Sequence, residues 1–291
     1  MILDFVSPIV FDKYLDNLIN LALNEDIGSG DHTSLSCIPG NNIVEARQLV
    51  KDDGILAGVY LAERIFKFVD PSVKMKIFYQ DGQRVKFGDI SFTVSGPAQS
   101  ILAVERLVLN FMQRLSGIAT KTNYFVNKIR HTGVTLLDTR KTTPGLRLLE
   151  KWAVKIGGGN NHRIGLYDMI LIKDNHVDYA GGVTNAVNLA KNYLKDKGLD
   201  LEIEIEIRDF NELDEVLQLS GIQRLLLDNF DIDNLKKAVS IVNHKIKTEA
   251  SGGINEDNIL NYAETGVDYI SCGMLTNSVR SLDLSLKLFK F

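Results

Sequence analysis

The second half of the chain predicts an α/β fold with a parallel sheet, behind a first part of mixed α+β character. Three observations carry this. From Val134 onward, short apolar runs rich in β-branched residues and leucine alternate with stretches of helical period. A polar or glycine cluster follows almost every run at once, as at the carboxyl ends of barrel strands. Before Val134 the strand-like pieces are instead separated by tight turns such as Asp53-Gly54, Asp81-Gly82 and Gly88-Asp89.

Taken in order, Phe11–Asn24 has helical periodicity, with Tyr14, Leu15, Leu18, Leu21 and Ala22 on one face, and Gly28-Ser29-Gly30-Asp31 ends it. Strands are expected at Ile43–Val50, Val73–Tyr79, Gln83–Val85 and Ile90–Val94. A long helix then runs from Ala98 to about Ile129, with an interruption expected at Gly117. The later strands are Val134–Leu137, Met169–Ile172, Leu201–Ile207, Arg224–Leu227, Lys247–Ala250 and Tyr269–Ser271. Helices at Val183–Leu194, Phe210–Leu219, Ile232–Val242 and Asn255–Ala263 lie between them, which is the βα alternation of a parallel sheet or barrel. A full barrel would need two further strands, so an incomplete barrel is one outcome.

The 291 residues suffice for a barrel-sized domain and a smaller one. A net charge of −4, with no basic face or tail, argues against nucleic acid as a partner. No apolar run is long enough to span a membrane. The acidic N-terminal segment does not read as a secretion signal. Cys37 and Cys272 lack metal spacing and are expected to be reduced thiols in the cytoplasm.

Against this acidic background the cations are placed unevenly. Arg140 and Lys141 follow one strand, His162 and Arg163 follow a Gly-Gly-Gly-Asn-Asn loop, and Lys173 ends another strand. Guanidinium groups hold carboxylates or phosphates bidentately, and an ammonium serves as a compact charge. Together these residues describe a pocket for a ligand with several negative groups. The ordinary alternative for each is a local acid, such as Asp138, Asp168 or Asp174. Ser251-Gly252-Gly253 and Ser271-Cys272-Gly273 end two consecutive strands, where backbone N–H groups and a following helix suit a phosphate. Glu202, Glu204 and Glu206 alternate and so share one strand face. In a barrel that face turns inward, and the carboxylates then need lysine, arginine or Mg²⁺; on an edge strand it is simply a solvated acidic face. Asp228 ends the next strand and could share a metal with Glu206. Glu105-Arg106, on the long helix, reads locally as a solvated surface.

The wording of these motifs resembles the quinolinate phosphoribosyltransferase family, the carboxylating nicotinate-nucleotide pyrophosphorylases. The resemblance runs through Glu25–Asp31, Leu109–Thr120, Asp138-Thr139-Arg140-Lys141-Thr142-Thr143-Pro144-Gly145, Gly157–Arg163, Leu171–His176, Leu227-Asp228-Asn229, Glu249–Ile254 and Thr265–Ser271, in order over nearly the whole chain. His32 stands where an apolar residue is commoner in the family.

The resemblance implies an N-terminal α/β sandwich domain at 1–115, with residues about 280–291 packing beside it. It implies an open, incomplete α/β barrel at 116–279. It implies transfer of phosphoribosyl from phosphoribosyl pyrophosphate to quinolinate with decarboxylation, giving nicotinate mononucleotide, with Mg²⁺ as cofactor. Lys141, Lys173, Glu206 and Asp228 are then the catalytic candidates, with Glu206 and Asp228 also the metal candidates. Arg106, Arg140, His162, Arg163 and Lys173 are candidates for the acceptor, and Ser251, Gly252, Gly253, Ser271, Cys272 and Gly273 for the 5′-phosphate. The family is dimeric with shared sites, which implies that Arg106 serves the partner's site. Related transferases for nicotinate or in molybdenum uptake, and a non-catalytic phosphate-binding barrel, are the alternatives. Activity on quinolinate rather than nicotinate, and pyrophosphate release, separate them.

Overall fold

The computed structural model describes residues 6–289, so the first five residues of the N-terminal segment and the last two of the C-terminal stretch lie outside it. In chain order, helix α1 (Pro8–Ile27) is capped at its start by the Ser7 hydroxyl and α2 (His32–Cys37) by the Asp31 carboxylate. Strands β1 (Ile43–Val50) and β2 (Gly54–Ile55) lead to α3 (Val59–Val69). Then come β3 (Lys74–Ile77), β4 (Arg84–Val85), β5 (Ile90–Pro97) and the long α4 (Ala98–Ile129). After β6 (Thr135–Leu137) and α5 (Arg147–Ile156), the chain forms β7 (Ile170–Ile172), α6 (Asp174–Ala180) and α7 (Val183–Lys197). It continues through β8 (Ile203–Ile207), α8 (Phe210–Val216), β9 (Arg224–Asp228), α9 (Ile232–Val242), β10 (Lys247–Ser251) and α10 (Ile259–Ala263). It ends with β11 (Tyr269–Ser271), α11 (Met274–Asn277) and β12 (Leu284–Leu288).

Two compact units result, each with its own main sheet, and the first also holds the short β2-β4 pair. The first contains the chain up to Asn123, Leu148–Gly158 and the stretch from Ser278. Its antiparallel sheet has the order β12-β1-β5-β3, so the last strand pairs with the first, Val50 opposite Leu284 and Ala46 opposite Leu288. Phe11, Leu15 and Ile19 form the buried stripe of α1, while Leu21 is exposed; the stripe lies one residue off the face expected from periodicity. Helix α3 buries Val59, Leu61, Ala62, Ile65 and Phe66, and the Asp81 carboxylate accepts hydrogen bonds from its first backbone N–H groups, Val59 at 2.8 Å and Tyr60 at 3.3 Å. Trp152 on α5 is buried edge-on against Phe11 and Tyr60. Buried Glu150 holds Arg114 at 2.8 Å and 2.6 Å.

The second unit, Tyr124–Arg147 and Gly159–Asn277, holds a six-stranded sheet in the order β6-β11-β10-β9-β8-β7, with every pair parallel. These are the six strands expected from sequence. β6 and β7 are its two edges, so no closed barrel forms among the described residues. Parallel strands are buried on both faces, which is why Ile205, Ile207, Leu225, Leu227, Ala250 and Ile270 are all sealed from solvent. No described helix is long and apolar enough to cross a membrane.

Gly117 does not interrupt α4, contrary to the expectation from sequence. Its role is spatial: a Cβ there would overlap the Arg280 carbonyl oxygen and come within 3.0 Å of Val279 Cγ1. On helix propensity alone, Gly117→Ala should stabilise by about 1 kcal/mol. The clash reverses this, and we predict a loss of about 1–3 kcal/mol, read as a lower melting temperature. An unchanged or raised melting temperature would show that this approach is not tight.

Candidate active site

The parallel sheet brings its carboxyl ends to one cavity of about 600 Å³. Arg140 and Lys141 enter from the end of β6, His162 and Arg163 from the loop before β7, and Lys173 from the end of β7. Glu206 lies on β8, Asp228 at the end of β9, Ser251–Gly253 after β10 and Ser271–Gly273 after β11. Every residue expected at the site from sequence lines this cavity except Arg106, which is exposed on α4 in the first unit.

The local acids do not consume the foremost cations. Among the described residues, the side chains of Arg140, Lys141 and Arg163 have no ion-pair partner. Asp168 instead accepts the backbone N–H groups of Ile164 at 2.6 Å and Gly165 at 2.8 Å, shaping the loop. Arg163 is buried, and one of its guanidinium N–H groups donates to the Met169 carbonyl at 3.2 Å. Burial, then the nearby Arg140 charge, draws its guanidinium below the ordinary arginine value. The stem of Lys141 runs over Gly273, where a Cβ would stand 3.0 Å from Lys141 Cδ. Lys173 differs from the others, because its ammonium lies 3.0 Å from the Glu206 carboxylate.

Beneath the cations is a layer of buried charge. Asp138, fully buried, accepts the His162 backbone N–H at 2.9 Å and the Asn161 amide at 2.6 Å. The Arg163 backbone N–H donates to His162 Nδ1 at 2.7 Å, and His162 Nε2 turns to Glu204 at 3.0 Å and Glu249 at 3.5 Å. The approach to Glu204 lacks hydrogen-bond alignment, so both Glu204 oxygens are buried without a hydrogen-bond partner among the described residues. Arg224 reaches Glu249 at 2.8 Å and stacks over the Tyr269 ring at 4.1 Å. Of the three alternating glutamates, Glu204 and Glu206 point inward, while Glu202 lies before the strand and is exposed. His162, Glu204 and Glu249 are close enough to share an ion, and Arg224 holds the other Glu249 oxygen at 2.8 Å. Arg224 and Glu249 carried no individual signal in the sequence, since their partners come from other strands.

The glycine loops supply backbone N–H groups, with Gly252 and Gly253 both at positive φ. The helices after them are short, so a helix dipole adds little and the loop amides carry the attraction for an anion.

Residues 31–116 match the profile described as "Quinolinate phosphoribosyl transferase, N-terminal domain", and residues 118–287 match the corresponding "C-terminal domain". The chain is 46% identical over 299 aligned positions to the "Nicotinate-nucleotide pyrophosphorylase [carboxylating], chloroplastic" of Oryza sativa subsp. japonica, covering 97% of this chain and 80% of that protein. It is 42% identical over 272 positions to the "Probable nicotinate-nucleotide pyrophosphorylase [carboxylating]" of Bacillus subtilis (strain 168), covering 94% and 92%. The solved nicotinate-nucleotide pyrophosphorylase from Francisella tularensis superposes with a TM-score of 0.89 at 38% identity, covering 95% of this chain and 96% of that one.

Burial pushes the Glu204 carboxyl from its ordinary 4.5 up to about 7. The folded chain therefore binds that proton more tightly than the unfolded chain. The resulting stability is complete below 4.5 and is lost as pH rises through about 7. Glu204→Gln mimics the protonated form and does not titrate. Relative to the parent it should gain up to about 3 kcal/mol between pH 5 and pH 8, measured by denaturant unfolding. A stability difference independent of pH would contradict the shift.

Proposed function

The chain belongs to the quinolinate phosphoribosyltransferase family, and from that premise we propose how its residues join quinolinate to phosphoribosyl pyrophosphate, releasing pyrophosphate and carbon dioxide and leaving nicotinate mononucleotide. The observation that carries the proposal is the set Arg140, Lys141 and Arg163, cations with no direct ion pair among the described residues, in a cavity that also holds Glu206, Asp228 and two glycine loops. Quinolinate brings two carboxylates. Arg140 and Arg163 are suited to hold them bidentately, with Lys173 as a further cation. His162 lines the same wall, but its ring nitrogens face Arg163 N–H and the buried acids, so it supports the clamp from behind.

The acceptor's ring nitrogen attacks ribose C1 as the bond to pyrophosphate breaks, and positive charge grows on the sugar. Glu206 and Asp228, on adjacent strands, are placed to stabilise that charge. Lys141 and Lys173 neutralise the departing pyrophosphate, and Ser251–Gly253 with Ser271–Gly273 hold the 5′-phosphate. The quaternised nitrogen then stabilises the electron pair left on C2 when its carboxylate departs, and a proton fills that position. Glu206 and Asp228, carboxylates on adjacent strands at the cavity, are the residues that would hold Mg²⁺ together with donor oxygens and water, Lys173 giving up its place beside Glu206. When bound, the ion supplies further neutralisation of the leaving group.

A homodimer is part of this proposal, with Arg106 serving the partner's cavity; it is exposed on α4 and is not among the residues that line the cavity, which supports that assignment. The cytoplasm is the proposed compartment, supported by the two free thiols, Cys37 and Cys272. The rice relative's name places that protein in the chloroplast.

Incubation with quinolinate, phosphoribosyl pyrophosphate and Mg²⁺ should yield nicotinate mononucleotide and pyrophosphate in equal amounts. Product from nicotinate but none from quinolinate would overturn the assignment. The shared site has its own test. Arg106→Ala and Lys141→Ala should each abolish most activity alone. Co-expressed in equal amounts they form about half heterodimers, in each of which one site carries both defects and the other none, so roughly a quarter of parental activity returns. No recovery, with heterodimers demonstrated, would show that Arg106 does not act across the dimer.

A further inference from the structure

Asn229 sits in the left-handed region at φ 54°, a conformation that asparagine adopts more readily than other residues besides glycine. Three contacts hold it there. Its side-chain amide donates to Asp228 Oδ2 at 2.5 Å. Its backbone N–H donates to the Ser251 carbonyl at 2.9 Å. Its Oδ1 lies against Gly252, where a Cβ would overlap it. Gly252 itself has φ 98°, so the turn after β9 and the turn after β10 are fitted to one another. The strands deliver them side by side, since Asp228 and Ser251 are register partners.

Nothing in backbone geometry requires this amide. A glycine at 229 would adopt the same φ without strain and keep the bond from its N–H to Ser251. What the side chain adds is a donor on the Asp228 carboxylate and a wall for the Gly252 turn. Its partners are the two groups assigned above to opposite ends of the same donor molecule, sugar and 5′-phosphate.

We propose that Asn229 is a positioning residue for the phosphoribosyl donor, fixing the Asp228 carboxylate in direction and distance relative to the phosphate-holding turn at Ser251–Gly253. This rests on the assignment of Asp228 to the sugar and of Ser251–Gly253 to the phosphate. A carboxylate free to rotate would spend less time directed at the charge that develops on the sugar, and a 1 Å error in such placement is costly. Among the described residues, no hydrogen bond joins Asn229 to the acceptor clamp on β6, β7 and the loop before β7.

The test is the steady-state kinetics of pyrophosphate release with quinolinate and phosphoribosyl pyrophosphate. Asn229→Gly should lower kcat/KM for the donor about 10- to 100-fold, the loss expected from removing one hydrogen bond to a charged group. The KM for quinolinate should stay within about twofold, and the melting temperature should not fall. Asn229→Asp, which sets a second carboxylate beside Asp228, should lose at least as much. If Asn229 acts through Asp228, adding Asn229→Gly to Asp228→Ala should cost little beyond Asp228→Ala alone. Parental donor kinetics in Asn229→Gly, with Asp228→Ala impaired, would overturn this proposal and leave the assignment of Asp228 standing. Parental donor kinetics in Asp228→Ala would overturn both. An equal loss toward donor and acceptor together with a lower melting temperature would reduce Asn229 to a purely structural turn residue.

Discussion

Everything at the carboxyl end of the parallel sheet depends on clustered positive charge that Glu204 and Asp168 offset only in part at Arg163. Arg140, Lys141 and Arg163 face one cavity with no direct ion pair among the described residues, and the depressed Arg163 guanidinium registers its burial and the charge of Arg140 against the weaker pull of Glu204 and Asp168. In most surface settings such cations would find local carboxylates. Here Asp168 accepts backbone N–H groups, and Asp138 accepts the His162 N–H and the Asn161 amide, which shapes the loops and leaves the cations for a ligand. A multiply charged anion is the partner that completes this set.

The cations can be held rigidly because charge below them is also ordered. Glu204 and Glu206 share an inward face of β8 at two depths. The upper glutamate meets Lys173 at the cavity, and the lower one lies under His162 with Glu249 and Arg224. His162 joins the two layers, with one ring nitrogen toward the buried acids and the other on the Arg163 backbone. Buried charge of this kind contributes little net stability but is strongly disrupted when one member is removed. Its evident use is to keep a cavity wall in one arrangement.

Much of this was legible in the sequence because parallel strands advertise themselves. Short apolar runs closed by Asp-Thr-Arg-Lys, Lys-Asp-Asn, Asp-Asn or Ser-Gly-Gly read as strand ends, and all six proved to be strands of one sheet. Residues whose meaning comes from distant partners were not legible. Gly117 looked like a helix break, and its true cause, the Arg280 carbonyl, lies far along the chain. Arg224 and Glu249 looked like ordinary strand residues until their strands paired. Helix α3 was not read from the sequence, because its apolar period lies between stronger turn signals. Arg106 carried no local signal of function, and its assignment came from family resemblance alone.

The account stands most directly on calorimetric binding of quinolinate and of nicotinate to the parent chain and to Arg140→Ala. Two carboxylates held by otherwise unpartnered cations should give quinolinate an advantage over nicotinate of about 2 kcal/mol or more, roughly 30-fold in affinity. Arg140→Ala should erase most of that advantage while leaving nicotinate binding little changed. Equal affinity of the parent chain for the two acids would contradict the account, because the second carboxylate would then have no cation waiting for it.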